Sequence, residues 1–102
     1  MKKDPEAIKI MQMRRLVLSN LNRLYPTPLQ IRTLYRVLCA FDENYSLSLL
    51  KKDIAYLDQK NYLEYIDEQI GGSGPFEKKF VGLTAEGKEI ADNIQSDFAL
   101  EL

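Results

Sequence analysis

Residues 46–87 read SLSLLKKDIAYLDQKNYLEYIDEQIGGSGPFEKKFVGLTAEG, and within them the hydrophobic period changes once. Leu47, Leu50, Ile54 and Leu57 stand at offsets 0, 3, 7 and 10, the spacing of one helix face. Ser46 before them is an N-cap residue, and Asn61 after them suits the left-handed position that ends a helix. The spacing predicts a helix over 46–61. From Tyr62 to Ile70, β-branched and aromatic residues take over. Gly71-Gly72-Ser73-Gly74-Pro75 is a turn, too glycine-rich for a helix. Phe76 to Leu83 is the return strand, with Val81 and Leu83 on one face and Phe80 on the other. A β-hairpin is therefore predicted over 62–83. Thr84 caps a last helix, predicted over 84–100, with Ile90, Ile94 and Phe98 at intervals of four.

Upstream, Asp4 and Pro5 read as the N-cap and first residue of a helix over about 4–25. Its apolar residues Ile10, Met13, Leu16, Val17, Leu21 and Leu24 make one face, widened by Met11 and Leu18. Pro26 and Pro28 end it. Thr27 is predicted to cap a second helix over 28–41, with Pro28 in its first position. There Ile31, Leu34, Leu38 and Phe41 repeat the offsets 0, 3, 7 and 10. Cys39 is expected to pack as a small buried apolar group. Asp42-Glu43-Asn44-Tyr45 is a polar connector. The expectation is one α+β domain over 1–102: a three-helix bundle, a two-stranded hairpin and a C-terminal helix. No repeat, low-complexity segment or linker divides it.

The chain has 102 residues, 45% hydrophobic and 28% charged, an ordinary globular composition. Its net charge is −1 and its pI about 5.4, so total charge gives no support for nucleic-acid binding. The distribution says more. Residues 1–36 carry a net +6 and the remainder a net −7. Such asymmetry marks either an electrostatic footprint or two solvated faces. One cysteine and no histidine leave no intramolecular disulfide and no ordinary zinc set. A reducing, cytoplasmic location is expected, with no signal peptide, no membrane span and no cofactor.

The element order helix, helix, helix, strand, strand, helix resembles the winged-helix superfamily over about residues 14–92. Ile54-Ala55-Tyr56-Leu57-Asp58-Gln59-Lys60-Asn61-Tyr62-Leu63 looks like a recognition helix running into the first wing strand. Asn61 stands where many members have glycine. Leu83-Thr84-Ala85-Glu86-Gly87 looks like the Leu-Thr-x-x-Gly junction after the wing. In size and layout the chain is similar to small winged-helix proteins of Mu-like prophages, which implies a phage-related role. The metal-sensing repressors of that superfamily rely on Cys and His ligand sets, which this chain lacks. The resemblance implies binding of double-stranded DNA and transcription regulation, with the third helix in the major groove.

At about 100° per residue, the face of that helix opposite its core stripe carries Ser48, Lys52, Ala55, Tyr56 and Gln59, with Lys51 on one flank. These side chains suit phosphates and base edges: lysine and serine for either, glutamine for adenine, alanine for a thymine methyl. Asp53 and Asp58 fall on the flanks. An ordinary solvated helix face has a similar composition. Arg32 and Arg36, one turn apart on the second helix, suit phosphate contacts or a plain basic surface. Thr27 and Gln30 are expected at that helix's N-terminus, where a phosphate can bind. The hairpin tip with Ser73, followed by Lys78 and Lys79, suits a minor groove. Centring the hairpin on Ser73 sets Asp67 near Lys79 and Glu68 near Lys78. Such pairing stabilises a hairpin by roughly 0.2–1 kcal/mol and cancels the charge a DNA-binding wing needs.

No catalytic constellation is present. Histidine, the commonest general base, is absent, and Asp67 and Glu68 should point to opposite faces of their strand. The competing function is a protein-interaction module, such as a phage accessory or adaptor protein, which the acidic pI favours. Apolar residues beyond the needs of a small core, including Ile90, Ile94, Phe98 and Leu100, suggest a homodimer through the first and last helices. The alternative is that those helices pack only on each other.

Overall fold

The computed structural model describes residues 5–67 and 79–94. Helix α1 spans Pro5–Arg23, α2 Ile31–Cys39, α3 Leu47–Gln59 and α4 Ala85–Ile94. Strand β1 is Leu29–Gln30, β2 Leu63–Asp67 and β3 Lys79–Leu83. The strands form one antiparallel sheet in the order β1-β3-β2.

The four helices and the sheet close on one apolar core. Val17, Leu18 and Leu21 of α1 meet Leu34 and Leu38 of α2, and Leu50, Ile54 and Leu57 of α3. Leu63, Val81 and Leu83 of the sheet and Ala91 of α4 complete it. Each such leucine contributes roughly 1.5–3 kcal/mol relative to exposure.

Four residues of the expected stripes are exposed instead: Ile10, Leu24, Phe41 and Leu47. Full burial along α1 runs only from Met13 to Leu21, so Ile10 and Leu24 lie at its uncovered ends. Helix α2 ends at Cys39 with Ala40 as its C-cap, so helical spacing no longer governs position 41. Leu47 opens α3 one turn before that helix reaches the core at Leu50. Cys39 is half-buried, its Sγ 3.9 Å from the Tyr45 carbonyl oxygen. Tyr45, placed by sequence in a polar connector, is buried.

The start of α2 is also corrected. Thr27 and Pro28 do not open a helix; the chain stays extended, and Leu29 and Gln30 pair with Val81 and Phe80. The sheet therefore has three strands where two were expected. Gln30 becomes the N-cap residue, with no side-chain capping bond. Pairing with β3 supplies partners for an edge of that strand that the hairpin alone leaves open.

The end of α3 is fixed by backbone chemistry. Asn61 has φ 66°, and the Tyr62 amide donates to Leu57 O at 3.0 Å while the Asn61 amide donates to Asp58 O at 2.9 Å. This pair of bonds is the Schellman motif, which satisfies carbonyls left over at the helix end. The chain then turns directly into β2. Strand register pairs Leu63 with Leu83 and Asp67 with Lys79, symmetric about position 73, which itself lies outside the described residues. Thr84 Oγ1 accepts the Gly87 amide at 3.0 Å and donates to Asn61 O at 2.7 Å, tying the start of α4 to the end of α3. A Cβ on Gly87 would stand 1.9 Å from Tyr62 O, so only glycine fits this contact. Across the other end, Asn22 of α1 donates to Asp92 of α4 at 2.8 Å.

Candidate nucleic-acid interface

Helix α3 has two contrasting sides. Its start is set by Ser46, whose Oγ accepts the Leu49 amide at 3.1 Å. Asp53, expected on a flank near the core boundary, is buried on the inner edge. Arg14 Nε of α1 donates to it at 3.2 Å and the Tyr45 hydroxyl at 2.6 Å. A buried carboxylate demands such partners, because removing one leaves an uncompensated charge. Burial, and then the Asp53 carboxylate that accepts its hydrogen bond, push the Tyr45 hydroxyl well above its ordinary range. The Arg14 guanidinium also lies 3.6 Å from the centre of the Tyr56 ring. Tyr56 is therefore half-buried and covered by a cation, not displayed on the outward face as its position in the helix suggested.

The outer side carries Ser48, Lys51, Lys52, Ala55 and Gln59, all exposed. Leu47, Ser48, Lys51, Lys52 and Ala55 line a shallow open groove of about 510 Å³. No acid lines it. Among the described residues Lys9, Arg14 and Lys88 are held in ion pairs, while Lys51 and Lys52 are in none. The acid beside Lys52 in sequence, Asp53, is turned inward and matched by Arg14. Asp58, which is exposed, lies at the other end of the helix toward Tyr65; burial chiefly, and Asp58 secondarily, raise the Tyr65 hydroxyl.

The remaining candidates are less concentrated. Arg32 and Arg36 stand exposed on α2. Thr27 is exposed but is not at a helix N-terminus, because α2 opens four residues later. Gln30 is half-buried at the N-cap. Lys79 opens β3 opposite Asp67, whereas Ser73, Glu68 and Lys78 lie outside the described residues. Ile90 packs against the core. The Ile94 side chain, Phe98 and Leu100 lie outside the described residues.

Sequence reading missed two participants. Arg14 was one base among many, and its pairing with Asp53 spans 39 positions, beyond any local signal. Leu47 was assigned to the core by its offset from Leu50. Its place immediately after the cap was the available clue, since a helix's first turn often precedes its contact with the core.

Helix, strand, helix, helix, antiparallel hairpin and closing helix, with the first short strand added to the hairpin, make an α+β winged helix. Solved structures share this fold. A PadR-like transcription factor from Bacteroides fragilis superposes with a TM-score of 0.74 at 12% identity, covering 91% of this chain and 85% of that one. A MepR variant from a multidrug-resistant S. aureus clinical isolate gives 0.67 at 15% identity, over 92% and 66% of the two chains. F-93 of SSV1 gives 0.62 at 18% identity, over 82% of each. At these identities the likeness is one of fold. No family model and no curated protein matches the chain. No helix among the described residues is long and apolar enough to cross a membrane.

Proposed function

We propose that this protein binds double-stranded DNA as a winged-helix transcriptional regulator, with the outer face of α3 in the major groove. The observation that carries this reading is the groove at Leu47, Ser48, Lys51, Lys52 and Ala55, which has two lysines outside any described ion pair and no acid. Phosphate neutralisation supplies much of the affinity for duplex DNA, so a chain of net charge −1 needs such a local basic face. Ser48, Lys51, Lys52 and Gln59 are the contacting residues in this reading. Arg32 and Arg36 touch phosphates from α2, with Gln30 at its N-cap. Tyr56 acts at one remove, by holding Arg14. The fold shared with a PadR-like transcription factor supports a regulatory role by analogy.

The test is fluorescence anisotropy on duplexes selected from a random pool, titrated with salt. Lys52→Glu should lower affinity at least about tenfold, and log affinity should fall linearly with log salt. Absence of duplex binding at low salt, or indifference to Lys52→Glu, refutes the reading. The protein-interaction alternative gains from one observation: positions 67 and 79 are partners in the hairpin register, the backbone pairing on which the expected offset of wing charge depends. A phage-related role rests on size and layout alone. A homodimer through α1 and α4 matches palindromic half-sites, and the exposed Ile8 and Ile10 of α1 offer apolar surface for it. A monomer in sedimentation at tens of micromolar excludes that arrangement.

A further inference from the structure

The groove on α3 carries a second chemistry besides charge. Leu47 is 39% exposed although α3 closes its share of the core completely with Leu50, Ile54 and Leu57. An exposed leucine alone is ordinary. Leu47 is distinguished by its neighbours. Leu47, Lys51 and Ala55 follow at intervals of four along one row of the helix, and Ser48 and Lys52 form the row beside it. The lining thus combines Leu47 and Ala55, with Lys51 between them in one row of the helix, and Lys52 in the next row. Two cations without an acid suit a polyanion. Two exposed apolar side chains lining such a site suit an apolar group carried by that polyanion. In a duplex major groove that group is the 5-methyl of a pyrimidine.

We propose that Leu47 and Ala55 form a contact for the thymine 5-methyl group, making them determinants of sequence preference while Lys51 and Lys52 supply sequence-independent affinity. The proposal rests on the DNA reading above. It assigns the two components of recognition to different side chains of one helix: charge positions the helix, and the apolar pair selects the base.

The experiment takes the tightest selected duplex and replaces its thymines by uracil one at a time. Uracil lacks the methyl group and keeps the hydrogen-bonding edge. For the unaltered protein, at least one replacement should weaken binding about fourfold, the factor expected for one buried methyl. That loss should vanish in Leu47→Ala and in Leu47→Gln, while the salt slope stays unchanged in both. Both substitutions fall on an exposed first-turn residue, and circular dichroism verifies their fold. If the duplex binds with a Lys52-dependent salt response but every uracil replacement is neutral, the methyl contact is overturned and the DNA reading stands. The same holds if the uracil penalty persists undiminished in both Leu47 variants. If no duplex binds at low salt, both readings fall.

Discussion

Thr27 and Thr84 stand at two junctions that look alike in sequence and fold differently. Each threonine precedes a helix-compatible stretch, and each was assigned as an N-cap. Thr84 does cap: its hydroxyl accepts the Gly87 amide, its carbonyl accepts the Lys88 amide at 2.9 Å, and its hydroxyl also donates to Asn61 O. Thr27 leads instead into β1, and α2 opens only at Ile31. Local chemistry does not separate the two, since Thr27 with Gln30 three residues later has the spacing of a capping box. The difference lies in what each segment meets. The stretch after Thr27 runs beside β3 and pairs with it, whereas the stretch after Thr84 is pressed against Tyr62, whose carbonyl accepts the Thr84 amide at 3.1 Å. A cap is decided locally only where no sheet edge competes for the same backbone.

The sharpest way to test this contrast is at Gly87. A methyl there meets a backbone oxygen at 1.9 Å, and backbone cannot swing aside as a side-chain tip can. Gly87→Ala should therefore lower unfolding stability by about 3 kcal/mol, measured by urea denaturation. A neutral result would mean that the α4 start is not seated on Tyr62. Thr84→Ala should come next, at about 1–2 kcal/mol, because it removes a cap and leaves the Gly87 amide without its partner. Thr84→Ser, which keeps the hydroxyl, should recover most of that loss.

The same distinction governs what was legible in the sequence. The span of α3, its Ser46 cap, the left-handed Asn61 and the hairpin register were all readable, because each is settled by residues within a few positions of one another. The outer lysines of α3 were readable for the same reason: helical rotation alone puts Lys52 opposite the stripe of Leu50 and Ile54 and Lys51 on its flank. Strand β1 was not readable. Two residues carry no period, and its cause is an open edge of β3 far along the chain. Nor was the fate of Tyr56 and Asp53. Rotation placed Tyr56 on the outward face and Asp53 on a flank near the core boundary, and only Arg14, arriving from α1, covers the one and neutralises the other. The charge character of the outer face therefore depends on a long-range pair that no window of sequence displays.

The smallest expected effect tests the comparison from its other side. Thr27 is exposed and caps nothing, so Thr27→Ala should change stability by less than about 0.5 kcal/mol, the range of an ordinary surface substitution. Its backbone contribution survives the change, because the bond from its amide to Leu24 O at 2.7 Å does not involve the side chain. If Thr27→Ala instead cost as much as Thr84→Ala, Thr27 would be acting as a cap, and α2 would have to begin earlier than Ile31. That start would break the pairing of Leu29 with Val81, so the cost of a single hydroxyl decides whether the sheet has three strands or two.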